Sequence, residues 1–125
     1  MIVGLGTDIT DIERLTTIYN RYGLSFLQKI LTPAELEIGR GRHLIPYAAG
    51  RFAAKEATVK ALGTGFAHGI GLRHIEVLNN DLGAPCLALK ESALKQANAL
   101  GAKKFLVSIS HERRYAVATV ILEGD

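Results

Sequence analysis

RFAAKEATVKALGTG, residues Arg51 to Gly65, is made almost wholly of good helix formers as far as Leu62 and contains no proline. Gly63 follows, the residue on which helices commonly close. Glu56 and Lys60 stand four positions apart, so a helix places them side by side on one face. That spacing alone fits an exposed ion pair worth about 0.3–0.5 kcal/mol. The loop Gly63-Thr64-Gly65 adds a second possibility, because a stretch with so little side chain can turn sharply and offer backbone N–H groups to an anion. It lies at the C-terminal end of its helix, where the dipole repels anions, so phosphate held there must rely on loop amides, basic side chains and a metal. Carboxylate, amine and loop together point toward phosphate chemistry.

Working outward, residues 1–9 carry Ile2, Val3 and Leu5 among small residues and are predicted as a short strand. Gly4 and Gly6 within it imply the close approach of another backbone. Asp8, at its end, is either a functional carboxylate or, with Thr7, a cap for the following helix. Ile12, Leu15, Ile18 and Tyr19 recur at helical spacing, so residues 11–22 read as an amphipathic helix with Arg14 and Arg21 outside, ended by Gly23. A short helix is expected around residues 26–31. Thr32-Pro33-Ala34-Glu35 is a capping box with proline at the first helical position, opening a helix to about Ile38. GRGRH, residues 39–43, reads as a basic turn, and Pro46 is expected to open the long central helix that ends at Leu62.

Residues 66–72 hold further glycines and should be irregular. Residues 74–79 and 85–89 read as a β-hairpin about the turn Asn80-Asp81-Leu82-Gly83. Residues 91–100 form a helix closed by Gly101. FLVSISH, residues 105–111, alternates so that Phe105, Val107, Ile109 and His111 share a face, and residues 115–123 should pair with it antiparallel. The fold class is therefore α+β: one domain over residues 1–125, with a small antiparallel sheet packed against a long central helix and shorter helices.

Hydrophobic residues make up 48% and charged residues 22%, a globular balance that excludes an intrinsically disordered chain. The single cysteine, Cys86, suits a reducing compartment. The start MIVGLGTDI has no basic segment of a secretory signal, and no apolar run approaches the ~18 residues of a membrane helix, so a cytoplasmic protein without membrane partners is expected. A net charge of +3 favours an acidic partner: nucleic acid, an acidic protein or a polyphosphate cofactor. Aromatic residues are only 6%, with no Trp and no interleaving of aromatic and basic residues, which argues against nucleic acid.

Asp8 and Glu56, distant in sequence, can meet at one metal, and an all-oxygen pair favours Mg²⁺ shared with substrate phosphates. No Cys/His set has zinc spacing. Ser110 and His111 are adjacent on a strand, point to opposite faces and make a poor dyad. The glycine loop is neither a Walker A sequence nor a dinucleotide fingerprint.

Four stretches taken together resemble the holo-[acyl-carrier-protein] synthases of the 4′-phosphopantetheinyl transferase superfamily: GLGTDI (4–9), RFAAKEATVKALGTG (51–65), IEVLNNDLGAP (75–85) and SISHERRYAVATVI (108–121). ILTPAELE (30–37) adds a weaker likeness. The resemblance implies transfer of 4′-phosphopantetheine from coenzyme A to a serine of apo acyl carrier protein, in fatty acid biosynthesis, releasing adenosine 3′,5′-bisphosphate. It implies Asp8 and Glu56 as Mg²⁺ ligands, with Glu56 also activating the serine, directly or through water. Lys60 would contact the pyrophosphate and protonate the leaving group. Arg51, Gly63, Thr64, Gly65, Pro85 and His111 match positions that hold coenzyme A, and the helix bearing Arg14 and Arg21 resembles the element that docks the carrier. A homotrimer with sites at subunit boundaries is implied, His111 coming from the neighbouring chain. Two positions depart from the pattern: Ala84 stands where many relatives carry lysine, and His74 where an acidic residue is frequent. A non-enzymatic basic oligomer binding an acidic protein or RNA is the rival reading, but it gives Asp8 and Glu56 no common task. Another Mg²⁺-dependent phosphotransferase using the same carboxylates is the other.

Overall fold

A computed structural model describes residues 1–125 throughout. The chain opens with strand β1 (Ile2–Asp11) and runs through helices α1 (Ile12–Tyr22), α2 (Leu24–Ile30), α3 (Pro33–Arg40) and α4 (Leu44–Leu62). A single 3₁₀ turn (Leu72–His74) precedes the hairpin β2 (Ile75–Asn79) and β3 (Pro85–Leu89). Helix α5 (Glu91–Ala99) and the pair β4 (Lys104–His111) and β5 (Tyr115–Glu123) complete it. The α+β expectation holds, with one refinement. The strands form two antiparallel sheets: a three-stranded one in the order β1-β5-β4, and the separate β2-β3 hairpin.

Helix α4 is the spine. Ala53, Ala54, Ala57, Val59 and Leu62 are buried against the inner sheet residues Ala118, Val120 and Leu122 and against Ile75 and Val77 of β2. Its run of alanines lets β1 come unusually close. A Cβ on Gly6 would overlap the carbonyl oxygen of Ala57, and one on Gly4 the carbonyl oxygen of Ala61. The two glycines thus mark the close approach expected from sequence, and they bring the strand carrying Asp8 against the helix carrying Glu56.

Helices α1 to α3 rest on the N-terminal half of α4 through two smaller apolar clusters, one around Leu27, Leu31, Leu36 and Tyr47 and one around Ile12, Leu15 and Ala49. The capping box at Thr32 is present: its hydroxyl accepts from Glu35 N at 3.2 Å and the Glu35 carboxylate accepts from Thr32 N at 2.7 Å. Several boundaries move. Helix α3 runs on to Arg40, so Gly39 and Arg40 belong to it and not to the basic turn. Helix α4 begins at Leu44, because proline is tolerated in a first turn whose amides have no intrahelical partner, so Pro46 does not open it. Strand β1 extends to Asp11 because it pairs with β5 as far as Asp11↔Tyr115, a partner that local sequence pattern does not reveal.

Candidate active site

The extension of β1 takes Asp8 away from the start of α1. Asp11, not Thr7 or Asp8, caps α1, its carboxylate accepting from Glu13 N at 3.0 Å. Asp8 therefore sits within the strand, on the face that carries Gly4 and Gly6 toward α4, with its side chain 16% exposed. Lys60 reaches across from the last turn of α4 and donates to Asp8 Oδ1 at 2.9 Å and to Thr7 O at 3.0 Å. The ion pair expected between Glu56 and Lys60 does not form; the lysine pairs with Asp8 instead. Spacing on one helix brings two side chains within range, but a half-buried carboxylate held 2.9 Å away on a neighbouring strand is the better partner.

Glu56 is half-buried beside Asp8. Burial first, and then the negative charge of Asp8, push its carboxyl above the ordinary value, against the opposing pull of Lys60 and Arg14. The Lys60 amine is raised, chiefly by its hydrogen bond to Asp8 and then by that carboxylate's charge. Asp8 and the partly buried Glu56 make a hard, all-oxygen donor pair, which fits a divalent cation. No third His, Cys, Asp or Glu joins them as a metal-binding group, so a cation held here would have only these two side chains as ligands of that kind.

Asp8 and Glu56 line one end of a cavity of about 250 Å³. Its other walls are Arg14 and Ile18 of α1, Phe26 of α2 and Phe52 of α4. A smaller hollow of about 170 Å³ shares Ile18 and Phe26 and adds Tyr22 and Lys29, prolonging the trough along the α1–α2 face. Arg14 is thus in the trough, whereas Arg21 lies further along α1, stacked 5.3 Å from the Tyr22 ring. Phe26, Phe52 and Ile18 line the cavity of Asp8 and Glu56, a placement that sequence reasoning missed. Apolar residues at helical spacing look the same whether they fill a core or wall a trough.

The glycine loop behaves differently from expectation. Gly63 closes α4 at φ 80°, and its N–H donates to Lys60 O at 3.1 Å. Thr64 N and Gly65 N both turn back to Val59 O, at 3.2 and 3.3 Å. All three amides are committed to capping the helix, so the loop offers an anion an unobstructed approach and no amide cradle.

Arg51 and His111 face a second cavity of about 340 Å³, shared with Arg42, His43 and Tyr47. Ile109 lies beside His111 in its wall, as the alternation of β4 requires. The Arg51 guanidinium stacks 4.3 Å from the Tyr47 ring and donates from Nη2 to Asn79 Oδ1 at 2.7 Å; its buried Nε has no partner. Burial lowers its pKa. Asn79 is the register partner of Pro85, which places Pro85 one residue pair from this guanidinium. Neither Arg51 nor His111 lines the cavity of Asp8 and Glu56. Within one chain the expected site residues fall into two groups.

The chain belongs to the 4′-phosphopantetheinyl transferase superfamily, whose family model matches residues 4–120. Within it the chain is similar over nearly its whole length to holo-[acyl-carrier-protein] synthases. It is 49% identical over 123 residues to the one from Maridesulfovibrio salexigens, covering 98% of this chain and 99% of that one. Its fold superposes on the crystal structure of the Neisseria meningitidis holo-[acyl-carrier-protein] synthase with a TM-score of 0.89 at 36% identity, covering 98% and 99% of the two chains. The Bacillus anthracis enzyme, solved in complex with CoA (3′,5′-ADP), gives 0.83 at 37% identity, covering 100% and 99%.

Proposed function

We infer that residues 1–125 form one domain that transfers the 4′-phosphopantetheine group of coenzyme A to a serine of apo acyl carrier protein. The observation that carries this reading is the convergence of Asp8, Glu56 and Lys60 from β1 and α4 at the end of a trough walled by α1. In the reaction the serine Oγ–P bond forms and the bond from that phosphorus to the bridging pyrophosphate oxygen breaks, releasing adenosine 3′,5′-bisphosphate. Asp8 and Glu56 would hold Mg²⁺, which supplies Lewis acidity and neutralises charge on the departing phosphate. The Glu56 carboxylate, raised by burial and by Asp8, is suited to take the serine proton, directly or through a water. The Lys60 ammonium, held on Asp8 and Thr7, directs its remaining proton to the pyrophosphate and meets the charge on the leaving group.

Arg51 and His111 hold coenzyme A, and the open approach at Gly63, Thr64 and Gly65 admits its phosphates. Pro85 supports this side through Asn79, the acceptor of the Arg51 guanidinium. Because these residues lie in a different cavity from the carboxylates, a complete site takes its second half from a neighbouring copy. The outer sheet face supports such an assembly: Leu5 and Leu106 flank Ile121 in one row, Ile9 pairs with Val117, and Leu5 and Ile9 are 66% and 60% exposed. A homotrimer closed through this face is the arrangement we favour. Arg14, within the trough, and Arg21, further along the same helix, suit the acidic surface of a carrier protein. No helix is long and apolar enough to cross a membrane. A cytoplasmic enzyme of fatty acid biosynthesis fits these features.

Incubation with coenzyme A, Mg²⁺ and an apo acyl carrier protein, followed by intact mass measurement, tests the reading. The carrier is expected to gain one phosphopantetheine unit. No gain with Mg²⁺, Mn²⁺ or any other divalent metal refutes it.

A further inference from the structure

Between α2, α3 and α4 lies an ion pair that the transfer chemistry does not use. Lys55 Nζ is 2.6 Å from Glu35 Oε1 and 2.7 Å from Ile30 O, and both side chains are fully buried. Glu35 Oε1 also accepts from Thr32 N at 2.7 Å, its Oε2 from Val77 N at 2.8 Å, and its main-chain oxygen from the Tyr47 hydroxyl at 2.8 Å. One carboxylate thus joins the start of α3, the middle of α4 and strand β2, and the lysine adds the end of α2.

Stability alone gives little reason for this arrangement. A buried ion pair costs much desolvation, and apolar residues of similar volume often serve as well or better. Position is the better explanation, because the two sides of the trough are anchored in different ways. The Asp8–Glu56 side is fixed by the contact of Gly4 and Gly6 with α4, within the main core. The opposite wall, bearing Phe26, belongs to α2, a seven-residue helix with no side-chain cap at its start. That wall rests on α4 only through the small clusters and through the Lys55 bond to Ile30 O.

We propose that Glu35 and Lys55 are positioning residues for the protein substrate: by fastening the end of α2 and the start of α3 to α4, they set the distance across the trough from Phe26 to Glu56 and so govern use of the carrier, not of coenzyme A. This rests on the transferase reading above. The coenzyme A residues Arg51 and His111 line the other cavity, which the pair meets through the Tyr47 hydroxyl on the Glu35 main-chain oxygen, a bond that a side-chain substitution at Glu35 keeps.

The test is the double variant Glu35→Gln/Lys55→Met, assayed beside wild type and Lys55→Met. The double variant removes both charges and the link to Ile30 O, and leaves one amide oxygen to accept from Thr32 N or Val77 N where the carboxylate served both. Lys55→Met alone leaves a buried carboxylate without its cation and is expected to have the lowest thermal midpoint of the three. The folded double variant is expected to bind apo carrier, measured by calorimetry, at least ~5-fold more weakly, with the KM for coenzyme A within about twofold of wild type. Equal loss on both substrates, no change on either, or a double variant that does not fold each assigns the pair to general stability and overturns the proposal. Wild type that neither binds nor modifies carrier overturns the transferase reading itself, a result seen in a separate arm.

Discussion

Gly6→Ala adds one methyl group at the point where β1 meets α4, ahead of Asp8 on the same strand face. That carbon would overlap the Ala57 carbonyl oxygen and lie 2.8 Å from Ala61 N and 2.9 Å from the Ala57 carbonyl carbon. Carbon atoms rest about 3.5 Å or more from such neighbours, so the strand must withdraw by at least ~0.7 Å. Asp8 moves with it, and the 2.9 Å bond from Lys60 is stretched past hydrogen-bonding range. Functional sites tolerate displacements of about 0.5 Å, and a shift near 1 Å can cost on the order of 100-fold in rate. A loss of roughly 10- to 100-fold in kcat/KM is expected. Overpacking costs about 1–3 kcal/mol, offset by roughly 0.5 kcal/mol because alanine is the better strand residue. At about 4 °C per kcal/mol for a chain of this size, the thermal midpoint should fall by roughly 2–10 °C. Gly41→Ala is the control, since its nearest neighbour is Ile38 O at 3.7 Å and its φ is −88°. Turnover measured by carrier mass, with a melting curve for each variant, decides the matter. Wild-type kcat/KM in Gly6→Ala would show that the β1–α4 contact does not set the Asp8–Glu56 geometry.

Glu56→Gln keeps the shape of the side chain but removes its charge, and should cost at least ~2 kcal/mol of transition-state stabilisation in a folded protein. Near-normal turnover would contradict both the metal-ligand role and the base role. Arg14→Glu should weaken carrier binding and flatten its dependence on salt while leaving the KM for coenzyme A nearly unchanged; an unaltered salt dependence counts against docking through α1. Glu76 gives a pH prediction. Burial opposes its ionisation, but the 2.6 Å hydrogen bond from Thr32 and the 3.1 Å pairing with Lys90 outweigh that, so its carboxyl lies below the ordinary value. A depressed folded-state pKa contributes stability that is complete above the unfolded value of 4.5 and is lost as pH falls through the folded one. Glu76→Gln should therefore narrow its stability gap from wild type as pH drops below 4.5, read from urea midpoints across that range. A gap that stays constant would show that the Glu76 charge takes no part.

How far the sequence could go is clearest at three places. Thr32 to Glu35 declares its capping box because every partner lies within four residues, and local chemistry decides the outcome. Asp8 was legible as a carboxylate on a strand but not as a free one: its release from capping depends on β1 pairing with β5, more than a hundred residues away. Lys60 shows the same limit from the other side. Helical spacing offered Glu56 as its partner, yet the glycine contact brings in Asp8, and the lysine goes to the carboxylate on the strand. Glu35 and Lys55 complete the pattern, since one was readable only as a cap and the other only as a helix former, and their meeting is a fact of packing. Residue chemistry in this chain is written locally; which groups share a charge is decided by the approach of β1 and the α2–α3 segment to α4. If that is right, the substitutions that most alter the chemistry without touching a reacting atom lie at those two junctions, at Gly6 and at Lys55, and each should damage a different half of the reaction.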